Sequence, residues 1–151
     1  YLALNTALIA LSEEWMFRGI LFRALLARFR LWPAVLITSV LFGAFHVLNA
    51  FSLGDLRMAL AQSVAAMMTG MLLVALVLRT GSIWPAVAYH MVWNFGLLLV
   101  AHETLEHLPL NTAPPLSAYL MPMLIVSPNL FFALLLLRKV RRLDGHGVEN
   151  A

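Results

Sequence analysis

The chain has 151 residues, of which 62% are hydrophobic and 11% charged, whereas an ordinary soluble domain is roughly 45–50% apolar and about 25% charged. This balance implies an all-α, polytopic membrane bundle in contact with the lipid bilayer. It also excludes a soluble nucleic-acid binder despite a net charge of +3, because the basic residues sit at the ends of apolar segments. Cysteine is absent, which excludes disulfides, thiolate metal ligands and a cysteine nucleophile.

Five segments are long enough to cross a hydrocarbon core ~30 Å thick, which takes about 20 residues of helix: 2–26, 33–51, 56–78, 83–101 and 117–137. Tyr1 already lies in apolar sequence, with no initiator Met and no charged leader. The chain therefore reads as a piece of a longer protein whose N-terminal helices are missing, with a core over 1–142 and a polar tail over 143–151.

The first segment holds Glu13-Glu14-Trp15-Met16-Phe17-Arg18. Ionisable groups inside a bilayer mark function by default. Glu14 and Arg18 are spaced i, i+4 with the acid first, the favourable order for a helical ion pair. Glu13 points about 100° away and is left without that partner, a candidate general base. The second segment opens on Trp32-Pro33 and carries Phe42-Gly43-Ala44-Phe45-His46. Its Gly43 and Ala44 leave room for another helix to come close.

Gly54-Asp55 breaks the chain before the third segment, and Gly81 ends that segment. The fourth opens on Trp84-Pro85, repeating the Trp-Pro-Ala-Val of 32–35, and carries His90 and Asn94 one turn apart on one face. Proline suits a first helical turn and Trp a membrane interface, so both copies are expected to start helices on the same side. The loop His102-Glu103-Thr104-Leu105-Glu106-His107 fits neither His-Glu-x-x-His nor its inverted form and reads as solvated. Pro114-Pro115 falls in the longest loop, Pro122 and Pro128 should bend or interrupt the fifth segment, and His146 lies in the tail.

Arg28, Arg30 and Arg79 fall on one side of five alternating helices, together with Arg138, Lys139, Arg141 and Arg142; the other side has Arg57. The positive-inside rule then makes the tail cytoplasmic and the protein a multi-pass one, in the plasma or inner membrane if prokaryotic.

Depth separates the candidate groups. At about 1.5 Å per residue, Glu13 lies about 22 Å from the cytoplasmic end of its helix and His46 about 20 Å past Pro33, but His90 only about 8 Å past Pro85. Helix four must tilt, or begin within a cavity, for His90 to join Glu13.

Glu-Glu-x-x-x-Arg at 13–18, Phe-x-x-x-His at 42–46 and His-x-x-x-Asn at 90–94, in order on separate membrane helices, resemble the three motifs of the CPBP family. This family is also called the CAAX-protease and bacteriocin-processing, or Abi, family, and the resemblance spans about residues 10–95. It implies an intramembrane endopeptidase acting on a membrane-associated, possibly prenylated, protein or peptide. Glu13 would be the activating base, His46 its partner on the attacking water, and His90 and Asn94 the oxyanion stabilisers. Glu14, Arg18 and Phe42 would support the site.

The family is often labelled metalloprotease, in which case His46 and His90 would bind Zn²⁺. It is also similar to glutamate-dependent proteases that use no metal. The missing His-x-x-x-His chelate and the depth mismatch favour the reading without a cofactor. The competing reading is a membrane protein without proteolysis: an immunity or scaffold protein, or an ion or proton pathway.

Overall fold

A computed structural model describes residues 1–105 and 115–140, with backbone alone at 53, 101–105, 139 and 140. The tail from 141 onward, with Arg141, Arg142 and His146, lies outside the described residues, as do Glu106, His107 and Pro114.

The described residues are helical in five rods. The first runs through α1 (Leu2–Glu14), a π segment (Trp15–Leu21) and α2 (Phe22–Leu26). The second comprises α3 (Leu31–Phe45), a 3-10 turn (His46–Asn49) and α4 (Ala50–Leu53). The others are α5 (Leu56–Thr80), α6 (Trp84–Leu105) and α7 (Leu116–Val140). Both Trp-Pro copies begin helices, α3 and α6.

Among the described residues, three helices are long and apolar enough to cross a membrane: Leu31–Ser52, Leu56–Thr80 and Leu116–Arg138. The other two rods are those with the polar chemistry. The first carries Glu13, Glu14, Arg18 and Arg23, and α6 carries His90 and Asn94.

Local chemistry explains the rod ends. Gly54 (φ 67°) and Gly81 (φ 70°) close their helices in the left-handed conformation, which a side chain disfavours. Asp55 caps α5, its carboxylate accepting from the amides of Arg57 at 2.8 Å and Met58 at 3.2 Å. Its other oxygen accepts from the Tyr119 hydroxyl of α7 at 3.1 Å.

α5 is the axis of the bundle, packed by α3 and α7 and more lightly by α6, while α1 packs on α6. Its buried positions are mostly small, among them Ala59, Ala65, Ala66, Gly70 and Ala75, so neighbouring backbones can approach. One apolar cluster joins Phe22, Val35, Leu72, Val74, Ala133 and Leu137. The other joins Phe17, Phe42, Leu73, Val77 and Ala86. Gly43 marks a close approach of α3 to α5, where a Cβ would run into the Met67 side chain and the Ser63 carbonyl; Ala44 instead faces outward.

Of the bend or interruption expected in the fifth rod, the interruption does not occur. α7 runs uninterrupted through Pro122 and Pro128. Pro128 cannot donate to the Leu124 carbonyl one turn back, and the Ser127 hydroxyl donates to that carbonyl instead, at 2.9 Å. Such local repair is what lets proline sit inside membrane helices.

Candidate active site

Glu14 is fully buried and organises the site. Its Oε1 accepts from Arg18 Nη1 at 2.9 Å and from His90 Nδ1 at 2.8 Å. Arg18 is also fully buried, and its Nη2 donates to the Gly70 carbonyl of α5 at 3.1 Å. The guanidinium lies 4.2 Å from the centre of the Phe42 ring, a cation–π contact that a desolvated site strengthens. A Cβ on Gly70 would come within 3.2 Å of Phe42 and 3.4 Å of the Arg18 guanidinium, so a glycine there lets α5 back this cluster closely.

With Nδ1 donating to Glu14, His90 turns Nε2 toward Glu13, 3.8 Å from its Oε2. That separation is too long for a direct hydrogen bond. Glu13 Oε2 has no hydrogen-bond partner among the described residues, and the Glu13 side chain keeps 23% of its exposure while Glu14 keeps none. One carboxylate is thus committed to holding the site, and its neighbour is left open.

The depth mismatch is resolved by where α6 meets the first rod. α6 packs on α1 and α5, and α2 packs on α3. Trp84, in the first turn of α6, shares a groove with Leu8, Leu11, Ser12 and Trp15. α6 therefore engages the rod near the Glu pair instead of at its Leu26 end, which brings His90 into reach.

The second motif stands beside this cluster. The α-helix stops at Phe45 and His46 begins the 3-10 turn, a tightening that often marks functional positions. His46 Nδ1 donates to the Phe42 carbonyl at 2.9 Å, and since a carbonyl only accepts, Nε2 is left with the lone pair. The Phe42 ring meets both imidazoles edge-on, His46 at 4.9 Å and His90 at 5.8 Å. Asn94 is half-buried one turn beyond His90 and makes no side-chain hydrogen bond to a described residue.

Glu13, Glu14, Arg18, Phe42 and His90 thus come together, with His46 joined to them through Phe42. The π segment follows directly on the Glu pair, and π turns inside α-helices recur at functional sites. Sequence reasoning missed the π segment and the Gly70 carbonyl. The run of Phe, Arg and Gly over Phe17-Arg18-Gly19 was the faint signal for the first, and Gly70 within an apolar helix for the second.

Residues 1–96, including all three motifs, match the type II CAAX prenyl endopeptidase Rce1-like family. The chain belongs to that family. Together with the long apolar helices, this makes it an integral membrane protein. Neither the curated proteins nor the solved structures compared with the chain gave a match.

The residues present were also weighed against the zinc that a metalloprotease label implies. Glu14 Oε1 is shared between Arg18 and His90, and His90 Nδ1 is occupied by Glu14. Among the described residues no group of three or more His, Asp or Glu side chains is arranged to hold a metal ion. The nitrogens left for such an ion are Nε2 of His46 and Nε2 of His90, each ring holding its partner through Nδ1.

Proposed function

We propose that this chain is an intramembrane endopeptidase that hydrolyses a peptide bond of a membrane-associated protein or peptide with a water activated by Glu13. The substrate would be prenylated in the activity for which the family is named. The observation that carries the reading is the pairing of two adjacent carboxylates with one imidazole from a helix 76 residues away: Glu14 holds His90 at 2.8 Å, and Glu13 faces its other nitrogen at 3.8 Å. A water beside that gap comes within hydrogen-bond reach of both groups.

In this mechanism Glu13 takes a proton from the water as its oxygen attacks the scissile carbonyl carbon. The Nε2 lone pair of His46 accepts the water's second hydrogen. The Asn94 amide donates to the developing oxyanion, joined by His90 Nε2 when that ring is protonated. Glu13 then returns its proton to the leaving nitrogen, the C–N bond breaks, and a carboxylic acid and an amine are released. Glu14 and Arg18 hold His90 and the helix backbone in place. The reaction is metal-independent. Stoichiometric Zn²⁺ by elemental analysis, with activity lost on chelation and restored by Zn²⁺, would overturn that part.

The decisive test compares the peptide content of membranes carrying the native protein with that of membranes carrying Glu13→Gln at equal expression. Gln keeps the shape and loses the base, so fragment release should fall by about 10²–10⁴-fold. Matching fragment inventories would sink the proteolytic reading.

A further inference from the structure

Asn129 is a buried amide near the middle of α7, beyond the residues that match the Rce1-like family. Its Oδ1 accepts from the Tyr89 hydroxyl at 2.7 Å and its Nδ2 donates to Thr69 Oγ1 at 3.2 Å. Tyr89 immediately precedes His90, and Thr69 immediately precedes Gly70. The Gly70 carbonyl holds Arg18, Arg18 holds Glu14, and Glu14 holds His90. The contacts therefore close on themselves: from Glu14 through Arg18 to α5, across Thr69 and Asn129 to α7, and back through Tyr89 to α6 and His90.

The geometry grips α6 on two sides. His90 ties it to α1, and the preceding residue ties it to α7. Consecutive residues project about 100° apart on a helix. One hydrogen bond leaves the helix free to roll about that bond, and two bonds to different neighbours remove the roll. The direction of His90 Nε2 toward Glu13 depends on that roll. Tyr89 adds stiffness by stacking on Trp93 one turn on, with ring centres 5.9 Å apart.

We infer that Tyr89 and Asn129 are positioning residues, which fix the rotation of α6 and so the presentation of His90 to Glu13, and that α7 is a working part of the catalytic unit. The inference rests on the proteolytic reading for its consequence in turnover, but the orientation of His90 can be read without it.

The test uses Tyr89→Phe, Asn129→Leu and the double variant of the full-length protein, with Leu134→Ala on the outward side of α7 as the control. Two readouts are taken per folded molecule: steady-state cleavage, and the ¹⁵N resonances of the His90 ring in micelles, assigned by difference against His90→Gln. Misplacing a reacting group by ~1 Å can lower rates about 10²-fold. Each single variant should therefore lose about ten- to a hundredfold in kcat with KM within about twofold, and the double variant should be no worse than either. The His90 resonances should move in all three and stay native in the control. Native His90 resonances in Tyr89→Phe and Asn129→Leu would overturn the inference, as would native kcat in both. Should the resonances move while the native and Glu13→Gln proteins release the same fragments, the two-sided grip on His90 stands and the proteolytic reading is what fails.

Discussion

Glu14 Oε1 accepts two charge-assisted donors within 2.9 Å while buried completely. A carboxylate so placed is tolerable only with its partners, since removing one side of a buried ion pair leaves a charge uncompensated and costs about 3–5 kcal/mol. Arg18→Met should therefore lower the stability of the protein by about that amount in a denaturant titration in micelles, whereas Glu13→Gln should leave it nearly native. A small effect of Arg18→Met would show that Glu14 is neutral or repaired by His90 alone. The Glu14–Arg18 pair was legible in the sequence because i, i+4 spacing is local. The Gly70 carbonyl and the Asn129 amide were not, because every helix offers carbonyls and only the packing of α5 and α7 selects these two.

At the scale of elements, the five rods followed from hydrophobic length and from Gly54-Asp55 and Gly81. Their internal irregularities did not. The π segment after Glu14 contains only Gly19 as a helix-weakening residue and the 3-10 turn at His46 contains none, and Phe17 and Phe42, whose rings meet edge-on at 5.1 Å, pack beside them. Gly43 was expected to admit a neighbour, and it admits α5. Gly43→Leu should force α3 off α5 and destabilise the bundle by about 1–3 kcal/mol or more; unchanged thermal unfolding would refute the close approach. Asp55 gives a pH signature. The Met58 amide, then the Tyr119 hydroxyl and the Arg57 amide and charge, hold its carboxyl below the ordinary value of 3.8. The cap is fully stabilising above that ordinary value and is lost as pH falls through the lower folded one. Native protein should lose stability across that acid window relative to Asp55→Ala, and parallel melting curves for the two would contradict this.

For the whole molecule, the charge asymmetry of the connectors supports a topology with Arg28, Arg30 and Arg79 in the cytoplasm and the Gly54-Asp55 turn opposite. The chain has no cysteine, so single substitutions report cleanly. In sealed vesicles of known sidedness, Arg30→Cys should react with an impermeant maleimide from the cytoplasmic face and Ser52→Cys from the other. Labelling of both from one face would discard the topology. The site lies where the two rods that carry its ionisable groups, the first and α6, meet against the α5 axis.

The π segment bears on how such a chain can change over generations. Each i→i+5 turn takes up more residues than an α turn, so the first rod carries on the order of one surplus residue between Glu14 and Phe22. A single codon lost within residues 19–21, past the Glu14–Arg18 pair, would return the stretch toward ordinary helix and keep the faces on either side in register. The same loss inside α5 would swing every later side chain by about 100°. The rod that bears the carboxylates is thus also the one whose length the gene can adjust without dismantling the bundle.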